Sequence, residues 1–90
     1  MKFMYTDLGP RQLGEVVEVT LTAVANVRLM DTLNFTNYKN GMKHIYTGGV
    51  VRQSPMRFSI PTNGHWHVAI DVNGIQGSSG LKASVKVVSA

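Results

Sequence analysis

The side chains most able to do chemistry in this sequence are its three histidines. His65 and His67 are spaced i, i+2, so on a β-strand both rings leave the same face and could share a metal ion. His44 would add a third nitrogen if its strand lay alongside, and imidazole sets of this kind suit zinc and other transition metals. Asp71 offers an oxygen, but it lies four strand positions beyond His67, about 13 Å along an extended chain at ~3.3 Å per residue. An H-x-H pair without fixed third and fourth ligands does not close a coordination shell. His65 and His67 are therefore expected as polar residues on the solvent face of a strand, with no bound metal and no cofactor.

A second group is the mixture of rings and amides between Asn34 and Tyr46. Phe35, Tyr38, His44 and Tyr46 offer surfaces for stacking, and Asn34, Asn37 and Asn40 offer hydrogen bonds, as small-ligand and carbohydrate sites do. Asn34, Phe35, Tyr38, His44 and Tyr46 are the candidate ligand-binding residues. The structural alternative is that Phe35 and Tyr46 plug one end of the fold while the asparagines terminate turns.

Catalysis finds less support. There is no cysteine, and Ser54, Ser59, Ser78, Ser79, Ser84 and Ser89 lie in no G-x-S-x-G elbow. Glu15 and Glu18 read as solvated charges at the start of a strand rather than as an acid and base pair. Gly77 to Gly80 lacks the lysine of a phosphate-cradling loop and precedes no helix. No named residues can be given catalytic roles, so the expectation is a protein that is not an enzyme.

The elements that carry these residues show mainly two-residue alternation. Val17, Val19 and Leu21 alternate with Glu18, Thr20 and Thr22, and Val27 and Leu29 flank an outward Arg28. Met56, Phe58 and Ile60 alternate with Arg57 and Ser59 between Pro55 and Pro61. Asn63-Gly64 reads as a hairpin turn into a strand from His65 to Val72, with Trp66, Val68, Ile70 and Val72 on the apolar face. After turn signals at Asn73-Gly74 and Gly77-Ser78-Ser79-Gly80, Leu81, Ala83, Val85 and Val87 form a last strand. Phe3 and Tyr5 suggest a short first strand ending at Gly9-Pro10. Only Asp31 to Gly41 breaks the alternation: Leu33, Phe35 and Tyr38 fit one or two helical turns, capped by Asp31 or Thr32 and ended by Gly41. Met42 to Gly48 should then re-enter a sheet, with Gly48-Gly49 marking a turn or bulge.

Together these predict one all-β domain over residues 1–90, a small antiparallel β-sandwich of jelly-roll type with six to eight strands and one short helix. Its core should contain Val17, Val19, Leu21, Val27, Leu29, Phe58, Ile60, Trp66, Val68, Ile70, Val85 and Val87. Apolar content of 43% argues against disorder, and a cysteine-free chain must hold its core without disulfides. The start, Met1-Lys2-Phe3-Met4-Tyr5-Thr6-Asp7, lacks the apolar core of a signal peptide, and no segment has the length to cross a bilayer, so a cytoplasmic location with no membrane partner is expected. The net charge of +4 is spread singly, and the densest window, Lys39 to Arg57, holds only four basic residues in nineteen, which argues against nucleic acid as a partner.

Several segments carry a resemblance: Tyr5-Thr6-Asp7-Leu8-Gly9, Val27-Arg28-Leu29-Met30-Asp31, Asn34-Phe35 with Tyr38 and Asn40-Gly41, Tyr46 with Gly48-Gly49, and Gly64-His65-Trp66 continuing to Val68, Ile70 and Asp71. Over nearly its whole length the chain resembles DUF1883, a small bacterial family catalogued as a domain of unknown function. The resemblance brings no activity or catalytic residues. It implies relatives that stand alone or are joined to a Toll/interleukin-receptor-like domain, a neighbour typical of signalling or defence. The expected function is thus a non-catalytic binding or sensing module for a small or saccharide-like ligand in such a setting, or alternatively a protein-interaction module that assembles as a homo-oligomer.

Overall fold

A computed structural model describes residues 3–77 and 80–89. Seven strands and one helix follow in the order β1 (Met4–Arg11), β2 (Val16–Leu21), β3 (Ala25–Asp31), α1 (Thr32–Lys39), β4 (Thr47–Val51), β5 (Met56–Ser59), β6 (Gly64–Asp71) and β7 (Ala83–Ser89). They form two antiparallel sheets, one four-stranded in the order β1-β6-β3-β4 and one three-stranded in the order β5-β2-β7. The result is the small β-sandwich expected from the alternation. Among the described residues no helix is long and apolar enough to cross a membrane.

The alternating apolar residues meet between the sheets. Val17, Val19 and Leu21 from β2 face Val27 and Leu29 from β3 and Trp66, Val68 and Ile70 from β6, with Ile60 completing the cluster as expected. Ala25 and Val51 join it unforeseen. Phe58, Val85 and Val87 are only half-buried, because β5 and β7 are the edge strands of the smaller sheet and only one neighbour flanks each. On the outward face of β2, Glu18 bonds Arg57 at 3.1 Å across one strand pair and reaches Lys86 at 3.6 Å across the other. This ties the three strands together and occupies the carboxylate.

A second apolar cluster lies on the other side of the larger sheet, where α1 packs Phe35 and Tyr38 against Met30, Ala69 and Phe3. The helix is local in origin. Asp31 caps it by accepting from the Asn34 amide at 2.9 Å, and Gly41, in left-handed conformation, donates back to the Tyr38 carbonyl at 3.1 Å. Its presence corrects the reading of β6. The outer face of that strand, expected in solvent, is covered, so that His67, Ala69 and Asp71 are buried and only His65 is exposed.

Three local signals were overruled by tertiary structure. Gly9-Pro10 does not end β1: a bulge between Asp7 and Gly9, with the Gly9 amide donating to Asp7 Oδ1 at 2.8 Å, carries the strand on to Arg11 along an edge that tolerates proline. Asn63-Gly64 is not a hairpin turn, because β5 and β6 belong to different sheets. The Asn63 side chain instead accepts from the Leu13 amide at 2.6 Å, which anchors the crossing. Residues 42–46 are irregular rather than strand, and Gly48-Gly49 lies within β4. There Gly48, at φ 127°, crosses so close to β3 that a Cβ would overlap the Val27 carbonyl oxygen. The Gly77 to Gly80 turn lies partly outside the described residues.

Candidate functional site

Two polar constellations occupy the outer side of the larger sheet, and a hollow lies beside its inner-face residues Leu29 and Trp66. The first is centred on Asp71, the last residue of β6. Its Oδ1 accepts from Asn26 Nδ2 at 2.7 Å and from the Asn73 amide at 3.1 Å, while Oδ2 accepts from Arg28 Nη1 at 2.8 Å and from the Tyr38 hydroxyl at 2.6 Å. Burial pushes this carboxyl up. The bonds from Tyr38, Asn26 and Asn73, with the Arg28 charge, more than offset that and hold it below the ordinary carboxylate value. Tyr38 is raised far above a normal phenol, first by burial and then by the carboxylate it bonds, so it stays protonated and remains a donor. The Arg28 guanidinium lies over the rings of Tyr38 and Tyr46, 5.3 and 5.0 Å from their centroids.

The second constellation joins Asp7 on β1 to His65 and His67 on β6. Asp7 and His67 are register partners, and His65 Nε2 stands 2.5 Å from Asp7 Oδ1. The two imidazoles stack with centroids 5.0 Å apart, and His67 stacks in turn on Phe35 at 4.5 Å. Nε2 of His67 meets the Thr32 hydroxyl at 3.0 Å, whereas Nδ1 is buried without a hydrogen-bond partner among the described residues. Burial, the dominant influence, pushes His67 below its ordinary value and outweighs the attraction of Asp7. The Gly9 amide and then His65 hold Asp7 below its own.

These arrangements redistribute the residues singled out in the sequence. Phe35 and Tyr38 are core residues of the helix layer. Tyr38, His44 and Tyr46 do come together: His44 lies 5.2 Å from Tyr38 and 5.5 Å from Tyr46, and Arg28 lies over the two tyrosine rings. Asn34 stands apart and is structurally engaged: its Nδ2 donates to Asp31, and its Oδ1 accepts from the Ile45 amide at 2.8 Å, holding the loop before β4. His44 bonds the Met42 carbonyl and is not among the residues grouped around His65 and His67. Asn34 and Tyr46 also border a hollow of about 240 Å³ with Leu29, Asp31, Ile45, Thr47, Pro61 and Trp66. Glu15 accepts from the Gln12 amide, and Glu18 is paired as described above, so neither faces a partner acid or base.

Sequence reasoning missed Asp7, Asn26, Arg28 and Thr32. Arg28 stood out only as a charge flanked by core positions, and Asp7 only as the residue that interrupts an apolar start.

Fold and site together define a two-sheet β-sandwich whose larger sheet carries a short helix over a buried polar face. The chain belongs to the family described as a domain of unknown function, DUF1883, whose model matches residues 1–90. No curated protein and no solved structure matches it.

Proposed function

We propose that the protein is an interaction module that self-associates through the free edge of β4. The observation that carries this reading is the character of that edge. β4 pairs only with β3 among the described residues, bears no charge and no proline, exposes the apolar Val50 and is preceded by the exposed apolar side chains of Ile45 and Tyr46. The other edges carry the usual protections: β1 has a bulge and Pro10, β5 sits between Pro55 and Pro61 with Arg57 outward, and β7 bears Lys86. Antiparallel pairing of β4 with a second copy would place no like charges opposite one another within the strand. It would join two four-stranded sheets about a two-fold axis, the commonest symmetry of homo-oligomers. A bacterial cytosolic setting, and the joining to a Toll/interleukin-receptor-like domain that the resemblance implies for some relatives, would fit this role.

Sedimentation equilibrium over a range of protein concentrations tests it. The wild type should show a concentration-dependent dimer, and Val50→Lys, which puts a charge on the exposed edge, should be monomeric with an unchanged circular dichroism spectrum. A wild type that remains monomeric throughout overturns the reading.

The hollow beside Tyr46 and Trp66 favours a second reading, a small-ligand site. Its volume lies below the ~300 Å³ at which ligand pockets begin, and Asn34 is already engaged, so the occupant would be no larger than a single ring. NMR titration with a nucleotide and sugar library would support it through shifts confined to Asn34, Tyr46 and Trp66, and a silent library would remove it.

A further inference from the structure

The geometry points to a metal site at Asp7, His65 and His67, built to take a late first-row divalent ion such as zinc, with water completing the shell. Each residue offers a ligand atom, and these atoms lie within 4.8 Å of one another. Around a tetrahedral zinc with ~2.0 Å bonds, donor atoms sit roughly 3.3 Å apart. The Asp7 to His65 contact of 2.5 Å must therefore open slightly and the wider separations close by about 1.5 Å at most. Both side chains are free to do so, since His65 is 44% and Asp7 53% exposed.

Strand pairing makes the arrangement specific. The i, i+2 spacing sets His65 and His67 on one face of β6, and the β1 register puts Asp7 directly opposite His67. Two imidazoles and one carboxylate suit zinc, nickel or copper, whereas calcium and magnesium prefer all-oxygen shells.

A separate observation concerns His67 itself. Phe35 holds one side of its ring and the Thr32 hydroxyl engages Nε2, the kind of outer hydrogen bond that orients a ligating histidine. Its Nδ1 is left buried and unpartnered, a state that native structures seldom tolerate without an ion or water nearby. The open side, at His65 and Asp7, leaves coordination positions for water or for a donor from another molecule.

The test uses tag-free protein at neutral pH, titrated with zinc sulfate by calorimetry after treatment with chelator, with elemental analysis of the dialysed product. Saturation near one zinc per chain is expected. His65→Ala and Asp7→Asn should each weaken binding by tenfold or more, the asparagine keeping the bond from the Gly9 amide so that the bulge survives. His44→Ala should bind as the wild type does. Circular dichroism and Trp66 fluorescence confirm that each variant is folded, and ring nitrogen NMR shifts of His65 and His67 on adding zinc report the site directly. Absence of saturable binding, or binding unchanged in both His65→Ala and Asp7→Asn, overturns the proposal. Because neither variant touches β4, the outcome is independent of self-association.

Discussion

Replacing Asp71 by asparagine should be among the most damaging near-isosteric changes available to this protein. The carboxylate accepts four hydrogen bonds, two on each oxygen, and its side chain is 1% exposed. An asparagine cannot reproduce them: with its oxygen toward Arg28 and Tyr38, its amide faces two donors, Asn26 Nδ2 and the Asn73 amide. Turned the other way, it sets a donor against the guanidinium. Removing one partner of a buried pair costs about 3–5 kcal/mol. Arg28 keeps 21% side-chain exposure and recovers some hydration, so the lower end, about 3 kcal/mol, applies. For a domain of this size that lowers Tm by roughly 12–24 °C, out of a total stability of about 5–13 kcal/mol. Trp66 is the only tryptophan and lies in the core, so urea unfolding followed by its fluorescence is the assay. Tyr38→Phe alone should cost about 1–2 kcal/mol, and the double variant should fall short of additivity by about 1 kcal/mol or more, because both changes remove the same bond. An Asp71→Asn midpoint within about 0.5 kcal/mol of wild type would refute the view that this carboxylate ties helix to sheet.

Trp66→Ala should lose about 3–5 kcal/mol, since its ring fills the space between the sheets and its Nε1 bonds the Thr62 carbonyl at 2.9 Å; denaturant midpoints by circular dichroism will show it. Gly48→Ala should cost about 2 kcal/mol or more by thermal unfolding, against about 1 kcal/mol for Gly74→Ala. Both have positive φ, but only at Gly48 would a Cβ meet backbone. The lowered values of His67 and Asp71 make stability fall on acidification. His67 contributes stability present above its ordinary value of 6.5 and lost as pH drops toward its lower folded value, and Asp71 does the same below 3.8. In the presence of chelator, urea midpoints between about pH 7.5 and pH 5 should decline in the wild type and stay nearly flat in His67→Gln.

The strands were legible because half-buried strands alternate, and β2, β3 and β6 do so with branched or aromatic residues on the inner face. Alternation, however, says only that one face is more polar than the other. On β6 the polar face holds His65, His67, Ala69 and Asp71, a composition that reads as solvent-facing, yet α1 covers most of it. The clue lay in the helix: Phe35 and Tyr38 needed an apolar surface, and eight residues are too few to build one alone. What no local pattern contains is the pairing of Tyr38 with Asp71, or of Asp7 with His65, residues separated by 33 and 58 positions. These depend on strand register, which is set by the whole core rather than by neighbours in sequence. The Asn63-Gly64 signal misled for the same reason, since the inner-face apolar residues of β5 and β6 are better buried facing each other across the sandwich than side by side in one sheet.

The outer face of the larger sheet is thus closed at one end of β6 and half open at the other. At the end of β6, Asp71 is closed off by Asn26, Arg28 and Tyr38, and all its acceptor capacity is used inside the protein. At its beginning, His65 and Asp7 are half open, and His67 keeps one nitrogen unused. Each end keeps one buried side-chain nitrogen without a hydrogen-bond partner among the described residues, Arg28 Nε at the closed end and His67 Nδ1 at the other, so the two ends differ in exposure rather than in satisfaction. Arg28 extends the closed end toward β4: it pairs in register with Gly48 and lies against Tyr46, beside the edge assigned to self-association. The buried hub therefore braces the strand that carries the proposed interface, while the half-open Asp7 and His65 at the opposite end of β6 belong to the proposed metal site.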